Sequence, residues 1–141
     1  MALANTNSVT VIGASLACVV LEDAMFRDEM LKFSGFGGLK GGTILARETA
    51  SGKLIPFLKG GTGGAEEPKA VLTYDVKVDA PGDVAIRAAI AGKFRKQRLI
   101  ILADGDDTNV DAGVIDALLQ AGIIPIDVHE TPIDVNETTI T

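Results

Sequence analysis

Apolar and polar positions alternate along most of the chain with a period of two, which predicts strands. Val9, Thr10, Val11 and Ile12, and then Val19, Val20 and Leu21, are short β-branched runs. Residues 22–33 break the pattern. Phe26, Met30 and Phe33 fall at i, i+4 and i+7, acids lead, and Lys32 sits near the end, so this stretch predicts a short amphipathic helix. Period two then resumes in 43–48 and 53–58, joined through Ala50-Ser51-Gly52 as a hairpin. Residues 71–79 predict a strand with Leu72, Tyr74, Val76 and Val78 on one face. Ala80-Pro81-Gly82-Asp83 suits a type II turn, and the chain returns through Val84, Ile86, Ala88 and Ile90. Residues 99–102 are wholly apolar and predict a buried strand. A second helix is expected from Thr108, with Thr108 and Asp111 as a capping box, Val114, Ile115, Leu118 and Leu119 as its apolar face, and Gly122 as its stop. Residues 123–128 form a last strand, held to a sheet edge by Pro125. The expected class is mainly β with one or two short helices (α+β), a small barrel or sandwich.

Between residues 35 and 42 five of eight positions are glycine. Without a Gly-Lys-Ser/Thr or G-x-G-x-x-G spacing, the stretch predicts a hinge and no nucleotide loop. The expected organisation is an N-terminal arm with its hinge over 1–42, a β-rich domain over 43–130 and a polar tail over 131–141. At 141 residues and 47% hydrophobic the chain buries about two-thirds of its extended surface on folding, enough for a core without staples. One Cys and one His exclude a disulfide framework and a zinc site of Cys and His ligands, and Cys18 is expected to be a small buried residue. The first 21 residues carry no charge, so the run from Val9 to Leu21 lacks the basic leader of a secretory signal. That run is also too short to span a bilayer. In Ser15-Leu16-Ala17-Cys18 the large aliphatic residue stands one place from where a lipidation signal needs it.

Net charge is −6, unevenly spread. Residues 1–40 hold four acids and three bases, 41–103 six acids and ten bases, and 104–141 nine acids and no base. An acidic chain argues against nucleic acid, and the split suggests charge complementarity within or between subunits. Asp104, Asp106 and Thr108 begin like a calcium loop, but Asn109 stands where glycine is needed and Ile115 where the bidentate Glu belongs. His129-Glu130 has no second His, and no G-x-S-x-G occurs. Catalytic, cofactor and metal residues are therefore expected to be absent, and the protein is not expected to be an enzyme. Lys93, Arg95, Lys96 and Arg98 crowd four cations into six residues and are expected to guard a strand edge or to meet a neighbouring subunit.

Four segments resemble the head-decoration family of tailed bacteriophages, the kind found on lambda-like heads. They are Gly42-Thr43-Ile44-Leu45-Ala46, Ser51-Gly52-Lys53-Leu54-Ile55-Pro56-Phe57, Ala70-Val71-Leu72 and Ala91-Gly92-Lys93-Phe94, with the stretch 111–125 similar to the helix and strand that close longer members. The resemblance spans roughly residues 42–128. It implies a small β domain that trimerises on the outer surface of an expanded capsid, contacts the major capsid protein, and stabilises the head, with no cofactor, nucleic acid or membrane. Such a protein is made in the host cytoplasm. Its N-terminal arm is expected to bind the shell, here through Val9, Val11, Ile12, Phe26, Met30 and Phe33. The competing expectations are another phage component of the tail or head-completion kind, and a ligand-binding or enzymatic β domain.

Overall fold

The computed structural model describes residues 19–33, 37–78 and 82–128. Its elements are β1 (Val20–Phe33), β2 (Gly37–Leu39), β3 (Ile44–Arg47), β4 (Leu54–Pro56), β5 (Pro68–Val71), β6 (Val76–Val78), β7 (Gly82–Arg95), a 3₁₀ turn (Lys96–Arg98), α1 (Ala112–Gln120) and β8 (Ile123–Ile126). Five strands close a ring in the order β1-β4-β3-β5-β7, because β7 pairs back onto β1; β8 extends from β7 in parallel. The small barrel expected from period two is present, and closure removes most of the edges that an open sheet would expose. β2 and β6 form a separate antiparallel pair.

Each wall strand sends alternate residues inward. Leu31, Leu54, Leu45, Ala70, and Ile86 with Ala88 meet as one buried cluster, joined by Leu39, Leu72 and Val76. The neighbours of these residues along β3, β5 and β7, namely Ile44, Ala46, Val71 and Ala89, are also fully buried, as is Phe94 further along β7. They pack on the outside of the ring against Val114 and Leu118 of α1, Ile123 of β8, and Leu99, Ile101 and Val110. Three strands are thus buried on both faces, so they read as near-continuous apolar runs.

Residues 20–33 are a strand and not the expected helix. They pair with β7 from Val20↔Phe94 to Phe33↔Gly82. The segment that the sequence suggested as a hinged arm therefore supplies a wall of the barrel from Val20 onward, and Val19, 3% exposed, already lies in the core. Removing residues 1–34 would take out that wall. The glycines after it do not form a free hinge either: β2 runs through Gly37–Leu39, and a Cβ on Gly38 would lie 2.7 Å from the Val76 carbonyl oxygen. Glycine there permits β2 and β6 to approach.

The predicted strand 71–79 is two strands. Leu72 and Thr73 are both buried, so the alternation fails where the chain turns from β5 toward β6. The apolar stretch 99–102 makes only single bridges, Thr43↔Ile100 and Ile101↔Asp106. The helix starts three residues later than expected, with Asp111 as N-cap accepting from the Val114 amide at 3.2 Å. The 43–58 hairpin and the final edge strand stand as expected; of the expected turn over 80–83, the first two residues lie outside the described residues and the last two open β7.

Candidate functional site

β1 and β7 are each 14 residues long and extend well beyond the short strands beside them. Along β1, Leu31 and Glu29 lie opposite Val84 and Ile86 toward the interior, so Phe26, Asp28, Met30 and Lys32 face outward beside Ala85 and Arg87. This outer face has no helix on it among the described residues. Met25 is 62% exposed, Met30 42% and Phe26 38%, three large apolar side chains on one ribbon. Phe26 and Met30 share this face as the helical spacing required, because a separation of four also preserves a strand's face. Phe33 ends β1 opposite Gly82. Val9, Val11 and Ile12 lie outside the described residues. Met25 was not singled out from the sequence, since a β-irregularity sets it out of phase with Phe26.

That irregularity has a visible cause. Asp23 adopts φ +59, and the pairing shifts register between Glu22 and Phe26. Opposite the bulge stands Gly92 at φ +132, where a Cβ would meet the Ala24 Cα at 2.7 Å. Only glycine fits there.

Ion pairs hold the ribbon to the hairpin of β3 and β4. Arg47 donates to both carboxylate oxygens of Glu29, at 3.1 and 2.9 Å, and to the Gly52 carbonyl at 2.7 Å. Arg27 adds a third bond to Glu29 at 2.7 Å. The Arg47 hydrogen bonds hold the Glu29 carboxyl below the usual carboxylate range despite its partial burial, and Glu29 in turn raises Arg47. Lys32 reaches Glu48 at 3.0 Å, and Lys53 pairs with Asp83. Neither the Glu29 network nor the Lys53 pair is readable from local sequence, since the partners are 18 and 30 residues apart. A groove of about 580 Å³ adjoins them, lined by Met30, Lys53, Tyr74, Ala85, Ile86 and Arg87 among others. The Tyr74 hydroxyl accepts from the Arg87 amide at 2.9 Å.

The four clustered cations are divided by the fold. Lys93 faces β1 and pairs with Glu22 at 2.9 Å, which raises its pKa. Arg95 closes β7, while Lys96 and Arg98 lie in the 3₁₀ turn. In the acidic stretch Asp106 accepts from the Thr108 amide at 2.9 Å, and Asp111 caps α1 and pairs with Lys59. Among the described residues no three His, Cys, Asp or Glu side chains gather as metal ligands, and no helix is long and apolar enough to cross a membrane.

The arrangement offers a small barrel whose outer ribbon exposes Met25, Phe26 and Met30 among charged neighbours, and among the described residues no nucleophile, base and oxyanion donors gather around its groove. The family described as bacteriophage lambda head decoration protein D matches residues 22–123, from the first turn of the ribbon to the start of β8. The chain belongs to that family. No curated protein sequence matches it. The match begins inside β1, so the strand that the sequence suggested as a helical arm lies within the family's common region. The head-decoration resemblance carried by the glycine and aliphatic segments is thereby established, and with it a structural family.

Proposed function

We propose that this protein binds the outer surface of a phage head as a homotrimer at threefold and quasi-threefold positions and stabilises the expanded shell against internal pressure. The observation that carries this reading is the family match across residues 22–123. The exposed Met25, Phe26 and Met30 support it, because apolar side chains gathered on one surface mark a docking site. The major capsid protein is the partner, and the protein is made in the host cytoplasm and ends on the virion surface. Val9, Val11 and Ile12, an uncharged strand-forming run, engage the shell together with Phe26, Met30 and Phe33. Lys93, Arg95, Lys96 and Arg98 contribute to subunit or capsid contacts. Three arms on one trimer make the second and third engagements intramolecular, which raises avidity by about 10²–10⁴.

The test mixes purified protein with expanded, undecorated heads and images them, with sedimentation giving the free oligomer. Regular density at threefold positions and a trimeric mass are expected; a monomer that leaves the heads bare overturns the reading. Deleting residues 1–17, which spares Val19 and β1, is expected to abolish decoration while the barrel still melts cooperatively.

A further inference from the structure

Among the described residues, the first half of β7 has an open edge. On its β1 side β7 is paired from Gly82 to Phe94. On the other side, among the described residues, β5 pairs with it only at Ala89 and β8 only over Gly92–Arg95. The Arg87 amide points to that second side, since Tyr74 Oη takes it, and so does Ala89, which pairs with Val71. By the period of two, the amides and carbonyls of Asp83 and Ala85 point there also. Apart from their places in the ladder with β1, neither has a backbone partner among the described residues. Natural sheets guard such edges with charge, bulges or proline. β1 carries a bulge and acids at Glu22 and Asp23, and β8 carries Pro125. Over 83–87 the charges are already spent, Asp83 on Lys53 and Arg87 on Asp28, and neither bulge nor proline intervenes. Beside the edge lies the 580 Å³ groove, walled by Met30, Ile86 and Tyr74.

We propose that this edge receives the N-terminal segment around Val9-Thr10-Val11 of a second copy of the chain, as an added strand. With the groove's charges paired off, it suits an uncharged, β-branched strand, and the first 21 residues carry no charge. Reach selects the second copy. Val20 stands opposite Phe94, and Ala85 is nine residues further along β7, about 30 Å away. The ten residues from Thr10 to Val20 span at most about 36 Å, and they start on the β1 side of the ribbon, so the chain's own segment would have to cross it fully stretched. A neighbour meets no such constraint, and head-to-tail exchange of this kind closes into rings. The inference rests on the reading of residues 1–18 as a docking arm; an arm engaged on the shell vacates the neighbour's edge.

The test uses full-length chains in a Cys18→Ser background. One population carries Val9→Cys, Thr10→Cys or Val11→Cys, the other Ala85→Cys. Oxidised mixtures are expected to yield covalent dimers joining one chain of each kind for at least one arm position, and hydrogen exchange is expected to show the Asp83 and Ala85 amides protected in a concentration-dependent way. Val11→Lys is expected to lose that protection at least tenfold. Absence of mixed dimers, protection that persists on dilution (the chain's own arm), or unprotected Asp83 and Ala85 amides would each overturn the proposal. If Val11→Lys also stops decoration of heads while mixed dimers never form, the arm serves the shell alone and only this inference falls.

Discussion

The two flanks of the barrel are built on opposite principles. Around β3, β5 and the second half of β7, both strand faces are covered: Leu45, Ala70 and Ala88 face the interior, while Ile44, Val71 and Ala89 face α1 and β8. Along β1 and the first half of β7 only the inner face is covered. There the outer surface carries Phe26 and Met30, and the strands are tied to the rest by the Arg27–Glu29–Arg47 network and the Lys32–Glu48 and Lys53–Asp83 pairs. One flank gains stability from burial, and the other keeps apolar surface available. A decoration protein needs both, since a surface that binds cannot already be buried.

The sharpest break of this contrast is at Leu118, fully buried between α1 and the barrel. Leu118→Ala is expected to cost about 2–5 kcal/mol in chemical denaturation. Gly92→Ala tests the ribbon's geometry: a Cβ against Ala24 at a positive φ is expected to cost about 1–3 kcal/mol, with β1 amides exchanging faster than those of α1. Next comes charge. Glu29 titrates below its ordinary range in the folded chain, so its contribution is present above that range and is lost as pH falls through the depressed value. Glu29→Gln is expected to cost about 1–3 kcal/mol at neutral pH and to flatten the acid limb of the stability curve. Glu48, Asp106 and Asp111, depressed by Ser51, Thr108 and Lys59 respectively, keep their share of that limb. The smallest stability effect belongs to the exposed ribbon. Phe26→Ser with Met30→Ser is expected to shift unfolding by less than about 1 kcal/mol yet weaken head binding at least tenfold. A double variant that melts several degrees lower and decorates normally would reverse the contrast.

Much of the covered flank was legible in the sequence, whereas β1 on the bare flank was misread. The β3–β4 hairpin has period two and a turn between its strands, and α1 has a cap, an apolar face and a terminal glycine. For residues 22–33 the spacing was ambiguous: Phe26 and Met30, four apart, share a face in a strand and in a helix alike. Phe33, seven from Phe26, fitted the helix alone and decided wrongly. What settles the strand is β7, a pairing 49 to 74 positions away that no local window contains. The sequence put the cap at Thr108 with Asp111 as its box partner, whereas Asp111 itself caps α1 and Val110 before it is buried. The groove beside Tyr74 and the Glu29 network were invisible for the same reason as β1, because their members come together only when the ring closes.

The separation between β1 and its partner also sets a timetable. A ribosome adding about 5–20 residues per second completes β1 roughly 3–12 seconds before the end of β7 emerges. During that interval one of the barrel's two longest strands has no mate, and its pairing is the most non-local strand pairing among the described residues, the kind that slows folding. Glu22, Asp23, Arg27, Asp28, Glu29 and Lys32 then act as gatekeepers, breaking the apolar stretch that would otherwise seed aggregation in the nascent chain. The charges that later pair across the folded ribbon have an earlier task, keeping an unpartnered strand soluble until its partner is made.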